Sequence, residues 1–298
     1  MSSQTVDAGA PTRGRQGASE RPASGRIIDL FAGAGGWDEG MDGLGLAALG
    51  VELDPWACAT AEAAGYERLR ADVAALNPAE FAPVWGLVAS PPCESYSVAG
   101  KGAGRRDREH VIACAHELAV GNDTRAEHAE LCDDPRSLLT VEPLRWTLVL
   151  RPRWLALEQV PAVLELWSLF AGLLAPSGYY TAAGVLSAEQ FGVPQSRKRA
   201  FLIGSLDGPV NLPEPTHRSY NPRRPDEVAD DEQHLAPWVS AGYALGVDQP
   251  ASAVLHSGRR RYGYRRLDRP APTLTSQAQG WTIRRSRRGS TRKGARRG

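Results

Sequence analysis

From residue 26 onward the chain alternates short apolar runs with amphipathic stretches. RIIDLF is an apolar run, AGAGG is a glycine turn, and WDEGMDGLGL begins a helix of modest propensity. AALGVELD then reads as a strand ending in acids, PWACATAEAAG as an Ala-rich helix with Pro in its first turn, and YERLRADVAAL as a return toward the sheet. VWGLVASPPC is a third strand stopped by two prolines. Beyond the polar loop AGKGAGRRDREH, helices are expected over 111–119 and 136–150, followed by a fourth strand, RWLALEQV. LELWSLFAGLLAPSGY is an amphipathic helix closed by Gly178, and YYTAAGVLSAEQFG with KRAFLIG reads as a paired hairpin. Strands and helices alternating at these lengths predict an α/β fold with a doubly wound, mostly parallel sheet.

The pattern changes near Ser205. Residues 205–265 are loop-like and rich in Pro, Arg, His and Tyr, too poor in apolar periodicity for a second large core, and read as a small recognition region grafted on the sheet. Residues 26–204 form the expected catalytic domain, to which 266–283 return. Residues 1–25 lack periodicity and read as a disordered leader; 284–298 read as a basic, disordered tail.

Charge sharpens this division. The formal net charge is +1, yet the last fifteen residues hold eight Arg or Lys and no acid, so removing eight positive charges leaves the body at −7. A near-neutral whole therefore does not exclude a nucleic-acid partner, because binding depends on where the positive charge lies. The chain has no apolar run of about 18 residues and no secretory leader, so a cytoplasmic protein with no membrane partner is expected. The four cysteines, Cys58, Cys93, Cys114 and Cys132, lack the spacing of a zinc site and are expected to be reduced.

Four segments carry candidate chemistry. DLFAGAGG lies where the first strand meets the first helix, a place where glycines let the backbone approach a nucleotide. Glu52 and Asp54 end the second strand and can bind ribose hydroxyls. A plain strand-to-helix turn and a nicotinamide site are alternatives; the departure from GxGxxG and the acid Asp72, placed to accept from an adenine amino group, favour an adenosyl cofactor without a pyrophosphate. Cys93, in PPCESYS, follows a strand at the sheet edge where α/β proteins place ligands, and a thiolate there is a nucleophile. Glu158, in LALEQV, ends another strand and is either a solvent-facing carboxylate or an acid paired with Cys93. QSRKR alternates so as to put Gln195, Arg197 and Arg199 on one side, either as a solvated edge or as donors over a base and a phosphate.

The order of these segments resembles one family, the C5-cytosine-specific DNA methyltransferases of bacterial and phage type. DLFAGAGG, Glu52, PPCESYS, EQV at 158–160, QSRKR, a variable region and RPAPTLT at 269–275 follow the family's succession. The resemblance implies a Rossmann-like S-adenosylmethionine-dependent methyltransferase fold with a small, loop-rich target recognition domain. It implies that Phe31, Gly33, Gly35, Glu52, Asp72 and Pro92 line the S-adenosylmethionine site, with no metal. It further implies that Cys93 attacks C6 of a cytosine flipped from duplex DNA, that Glu158 holds and protonates its N3 edge, and that Arg197 steadies the base or the thiolate. The methyl group goes to C5, after which loss of the C5 proton and expulsion of Cys93 release 5-methylcytosine. Double-stranded DNA is the implied partner, with a cognate restriction endonuclease as a second, and a monomer is expected.

The chain departs from the family at three places. Glu94 stands where Gln is usual, and a carboxylate beside Cys93 opposes thiolate formation. Gln159 stands where Asn is usual, and no Gly-Asn-x-Val-Pro element follows RPAPTLT. The abrupt switch to an acid-free basic run predicts truncation or a reading-frame change near Arg284. A catalytically impaired DNA-binding remnant and a tRNA cytosine-C5 methyltransferase are the competing expectations.

Overall fold

The computed structural model describes residues 25–92, 106–247, 251–257, 260–273 and 280–285. Cys93 and Glu94, Leu274 and Thr275, residues 1–24 of the expected leader and 286–298 of the expected tail lie outside them.

Seven strands form the main sheet in the order β3-β2-β1-β4-β5-β8-β6. Strands β1 (Arg26–Leu30), β2 (Ala48–Glu52), β3 (Glu67–Arg70), β4 (Val84–Ala89) and β5 (Trp154–Gln159) run parallel, and β8 (Lys198–Ser205) is antiparallel to both β5 and β6 (Tyr180–Ser187). The apolar runs explain this directly, since strands covered on both faces need near-continuous hydrophobic sequence: Ile28, Leu30, Val51, Leu87, Leu155 and Leu157 are all buried. The expected hairpin is present as the β6–β8 pair. ERLR forms a separate edge strand, so VWGLVA is the fourth strand and not the third.

Chain direction decides where a ligand can lie. From β1 the chain winds outward through β2 to β3, then returns to the other side of β1 as β4. The reversal leaves a crevice beyond the carboxyl ends of β1 and β4, the usual ligand position in an open α/β sheet. The 31–36 turn and residues 90–92 both leave the sheet there.

Helices α1 (Gly36–Asp42), α2 (Pro55–Ala63), α3 (Arg108–Ala119), α4 (Arg125–Leu131), α5 (Glu142–Leu150), α6 (Leu164–Leu174) and the single turn α7 (Ala241–Ala244) connect the strands. In α6, Leu166, Trp167, Phe170 and Leu174 recur at helical spacing and are buried, which seats that face in the main core. One helix was expected over 136–150; instead a 3-10 segment, Pro135–Val141, precedes α5. The cause is Pro143, which cannot donate to the carbonyl four residues back and clashes with it, and so is tolerated only in a first turn. Helix α4 was not foreseen, since RAEHAEL buries no residue. No helix among the described residues is long and apolar enough to cross a membrane.

Beyond β8, residues 206–240 are mostly irregular. A second sheet follows, in the order β10-β9-β12, from β9 (Ala251–Ser257), β10 (Arg260–Arg266) and β12 (Gly280–Arg285). The expected boundary at 284 therefore falls inside a strand, and the return expected over 266–283 takes in the last residue of β10, the short strand β11 (Ala271–Pro272), paired with β7 (Gln195–Ser196), and the start of β12. The reason is the antiparallel match of β12 to β9, which extends the small sheet.

Candidate functional site

At the carboxyl end of β1, the turn that follows holds three residues in the left-handed region: Phe31 at φ 60°, Gly33 at 56° and Gly35 at 112°. Phe31 carries a real steric cost there, and such costs cluster at ligand sites. Gly35 is obligatory on two counts, because a Cβ would also approach the Tyr66 ring to 2.8 Å. Glu52 ties this turn to β2: its carboxylate accepts from the Gly33 amide at 2.8 Å and from the Asp54 amide at 2.7 Å. Asp54, expected beside Glu52 as a ribose ligand, instead caps α2 by accepting from the Trp56 amide at 2.7 Å. Asp72 is exposed just beyond β3, where its carboxylate accepts from the Ala74 amide at 2.9 Å.

Two charged residues missed by sequence reasoning lie beneath this turn. The side chain of Arg68 is fully buried; it donates to the Gly33 carbonyl and pairs with Asp38 at 2.6 Å. Asp29 is fully buried on β1, and neither of its carboxylate oxygens has a hydrogen-bond partner. Burial first, then the nearby Asp38 charge, holds its carboxyl well above the ordinary value. The only sequence signal was an acid inside an apolar strand.

The exit from β4 is braced from two sides. The Ser90 amide donates to the Leu30 carbonyl at 3.2 Å, which extends the β1–β4 pairing by one residue. Trp37 Nε1 donates to Ser90 Oγ at 2.8 Å, and the Trp37 ring meets Phe201 edge-on at 6.4 Å. From β5, Gln159, almost fully buried, donates through Nε2 to the Pro91 carbonyl at 2.8 Å while its Oε1 accepts from the Val160 amide. Gln159 thus fastens the peptide just before half-buried Pro92. Cys93, the next residue, lies outside the described residues.

Glu158 sits at the end of β5, in the wall of a cavity of about 310 Å³ shared with Leu186, Phe191, Arg197, Arg199, Phe201 and Pro213. Arg199 Nε stands 2.7 Å from Glu158 Oε1 and Arg197 Nη2 stands 3.8 Å from it. Gln195 does not join them. The expected alternation across 195–199 is interrupted, because Gln195 and Ser196 pair with Ala271 and Pro272 while β8 begins only at Lys198. Thr273 then donates to the Ser196 carbonyl at 2.9 Å, so the described part of RPAPTLT lies against QSRKR. The cavity suits a flat, polar ring: an acid and two guanidinium groups at its edge, aromatic and aliphatic side chains on its walls.

The three described cysteines are poor nucleophiles. Burial pushes the thiol of Cys114 up to about 12 and that of Cys132 to about 11, and raises that of Cys58. Basic and aromatic residues of the irregular segment serve local structure: Arg218 donates to the Gln233 carbonyl, Arg224 pairs with Glu227, and Tyr220 packs edge-on against Trp238. Among the described residues no cluster of His, Cys, Asp or Glu could hold a metal ion.

Comparison with known proteins places this geometry in context. The family described as C-5 cytosine-specific DNA methylase matches residues 25–117 and 125–244. The type II methyltransferase M1.HphI of Haemophilus parahaemolyticus is 31% identical over 213 residues, covering 65% of this chain and 50% of that protein. The type II methyltransferase M.AquIA of a Picosynechococcus species is 28% identical over 256 residues, covering 76% of this chain and 90% of that protein. The Dnmt2 methyltransferase of S. pombe, a solved structure, superposes with a TM-score of 0.44 at 18% identity over 63% of this chain and 50% of that one. The chain thus spans about half the length of M1.HphI and most of M.AquIA.

Proposed function

Because the chain belongs to the C-5 cytosine-specific DNA methylase family, we propose that it methylates C5 of a cytosine turned out of double-stranded DNA, with S-adenosylmethionine as donor. The observation that carries this reading is the cavity at the end of β5, where Glu158, Arg197 and Arg199 meet beside the strand that leads through Pro91 and Pro92 to Cys93. A base must leave the stack to enter such a cavity.

The residues at the other end fit the donor. Gly33 faces open space where a Cβ would stand, Asp29 offers two buried carboxyl oxygens without partners, and Glu52 and Asp72 are acceptors for a ribose and an adenine amino group. Phe31, Gly33, Gly35, Glu52, Asp72 and Pro92 would hold it. Bound there, it supplies an electrophilic methyl group.

The protein's own residues do the rest. The Cys93 thiolate adds to C6 of the cytosine, and the displaced ring electrons make C5 nucleophilic. Glu158 holds a proton at N3, so that those electrons build up on a neutral ring. Arg199 holds the Glu158 carboxylate for this contact at 2.7 Å, and Arg197, 3.8 Å from the same oxygen, steadies the base or the thiolate. Once C5 carries the methyl group, a base removes the C5 proton, the C5–C6 double bond reforms and the sulfur leaves. The type II designation of the relatives extends the proposal to a cognate restriction endonuclease as partner.

Transfer of labelled methyl groups from S-adenosylmethionine to duplex DNA, with tRNA as competitor and Cys93→Ser as control, tests this. Label in DNA that disappears in C93S is the expected result. Label confined to tRNA, or label that persists in C93S, overturns it.

A further inference from the structure

Three carbonyls of the short loop after Asp72 are gripped by two arginines. Arg145 Nη2 donates to the Val73 carbonyl at 3.0 Å and its Nη1 to the Leu76 carbonyl at 3.1 Å, while Arg125 Nη1 donates to the Ala74 carbonyl at 3.0 Å. One acid joins the two guanidinium groups: Glu142, almost fully buried, sits 2.6 Å from Arg125 and 2.7 Å from Arg145. Asp123 holds the outer face of Arg125 with bonds at 2.7 and 2.8 Å.

This costs more than a loop of this size requires. Desolvating an ion pair offsets much of its attraction, and well-packed apolar residues commonly stabilise a core as well or better. What the pair supplies is geometry, because a planar guanidinium with fixed donors sets the direction of each carbonyl it binds. The grip bears on one carboxylate in particular. The Val73 carbonyl and the Ala74 amide are the two ends of one peptide unit: Arg145 grips the carbonyl and the Asp72 carboxylate accepts from the amide, so Asp72 is oriented through that unit, while Arg125 holds the next carbonyl, that of Ala74.

We infer that Arg145, Glu142 and Arg125 are positioning residues for the methyl donor, setting the loop that presents Asp72 to the adenine amino group. The inference rests on the reading of Asp72 given above. Glu142 and Arg145 stand one helical turn apart on α5, and Arg125 opens α4, so two helices that hold the loop by its carbonyls set the reach of Asp72.

The test has two readouts. In the protein without ligand, hydrogen exchange is followed over residues 71–77 and over β1 in wild type, Arg145→Lys and Arg125→Gln. The lysine keeps the charge but not the two-pronged reach; the glutamine variant lies at the more exposed end and serves if the first does not fold. Exchange over 71–77 is expected to rise about tenfold or more with β1 unchanged. An equal rise in both segments shows a merely structural role and overturns the inference.

Affinities for S-adenosylhomocysteine and S-inosylhomocysteine, which has a carbonyl in place of the amino group, supply the second readout. Wild type is expected to prefer the adenosyl compound, and Asp72→Asn and R145K to lose most of that preference, with the inosyl affinity changed by less than about twofold in R145K. If D72N loses the preference and R145K keeps it, the inference falls while the reading of Asp72 stands. If D72N keeps it, the reading of Asp72 fails and takes the inference with it.

Discussion

At the scale of single residues, the site contains one side chain whose presence opposes stability. Asp29 is fully buried without a partner, and an ionised carboxylate there is costly. As pH rises past 3.8 the unfolded chain ionises first, so the folded state binds the extra proton and stability is lost until the pH passes the raised folded-state value. Asp29→Asn is therefore expected to stabilise the protein by about 1–2 kcal/mol at pH 7, with the gain vanishing toward pH 3.8. Urea unfolding across that range measures it, and the same variant is expected to bind S-adenosylhomocysteine more weakly if the two unpartnered carboxyl oxygens serve the donor. Glu158→Gln tests the other end of the site. It keeps shape and loses the acid, so kcat for methyl transfer is expected to fall roughly 10²–10⁴-fold with duplex affinity nearly unchanged.

At the scale of elements, the exit from β4 matters most, because it leads in sequence to Cys93, the proposed nucleophile. Two neighbours hold it: Trp37 of α1 through Ser90, and Gln159 of β5 through the Pro91 carbonyl. Gln159→Ala frees a buried carbonyl and is expected to cost about 1–3 kcal/mol in stability. Its larger effect is expected on turnover, with S-adenosylhomocysteine affinity intact; calorimetry and methyl-transfer rates on one preparation separate the two. The residue that departs from the family pattern is thus a buried amide that donates to the Pro91 carbonyl and accepts from the Val160 amide. Much of this framework was legible beforehand. RIIDLF, VWGLVA and WLALEQ announce buried strands, Pro55 ahead of an Ala-rich run announces a helix start, and the glycines of DLFAGAGG announce the turn. Illegible were the contacts that only topology creates. Arg68 reads as one more charge on an edge strand until the Gly33 carbonyl is brought to it, and Arg145 reads as a solvated helix position until Val73 and Leu76 arrive from 69 or more residues away. The alternation across QSRKR misled for a related reason, since β11 captures Gln195 and Ser196 and breaks the strand at Arg197.

At the scale of the whole molecule, two sheets divide the labour. Glu52 and Glu158 lie on the seven-stranded sheet, and Phe31, Gly33, Gly35, Asp72 and Pro92 lie just beyond its strands, whereas β10 and β12 of the three-stranded sheet are drawn from basic sequence. In that small sheet β9 is central, flanked by β10 on one edge and β12 on the other. Removing β12 would leave a two-stranded hairpin, which is marginal alone in water. The large sheet should be indifferent, because β11 and Thr273, which dock on β7 and Ser196, precede β12 in the chain. A chain stopped after Thr273 is therefore expected to keep the main thermal unfolding transition within a few degrees and to retain S-adenosylhomocysteine affinity. Duplex affinity is expected to fall at least about tenfold, since the platform for its basic residues is lost along with the charges of the tail. Those two causes are separable by salt: a second chain stopped after Arg285 keeps β12 and removes only tail charge, so its deficit should shrink at high ionic strength, whereas the deficit of the shorter chain should persist. Equal duplex binding by both truncated chains at every salt concentration would show that the small sheet takes no part in holding DNA.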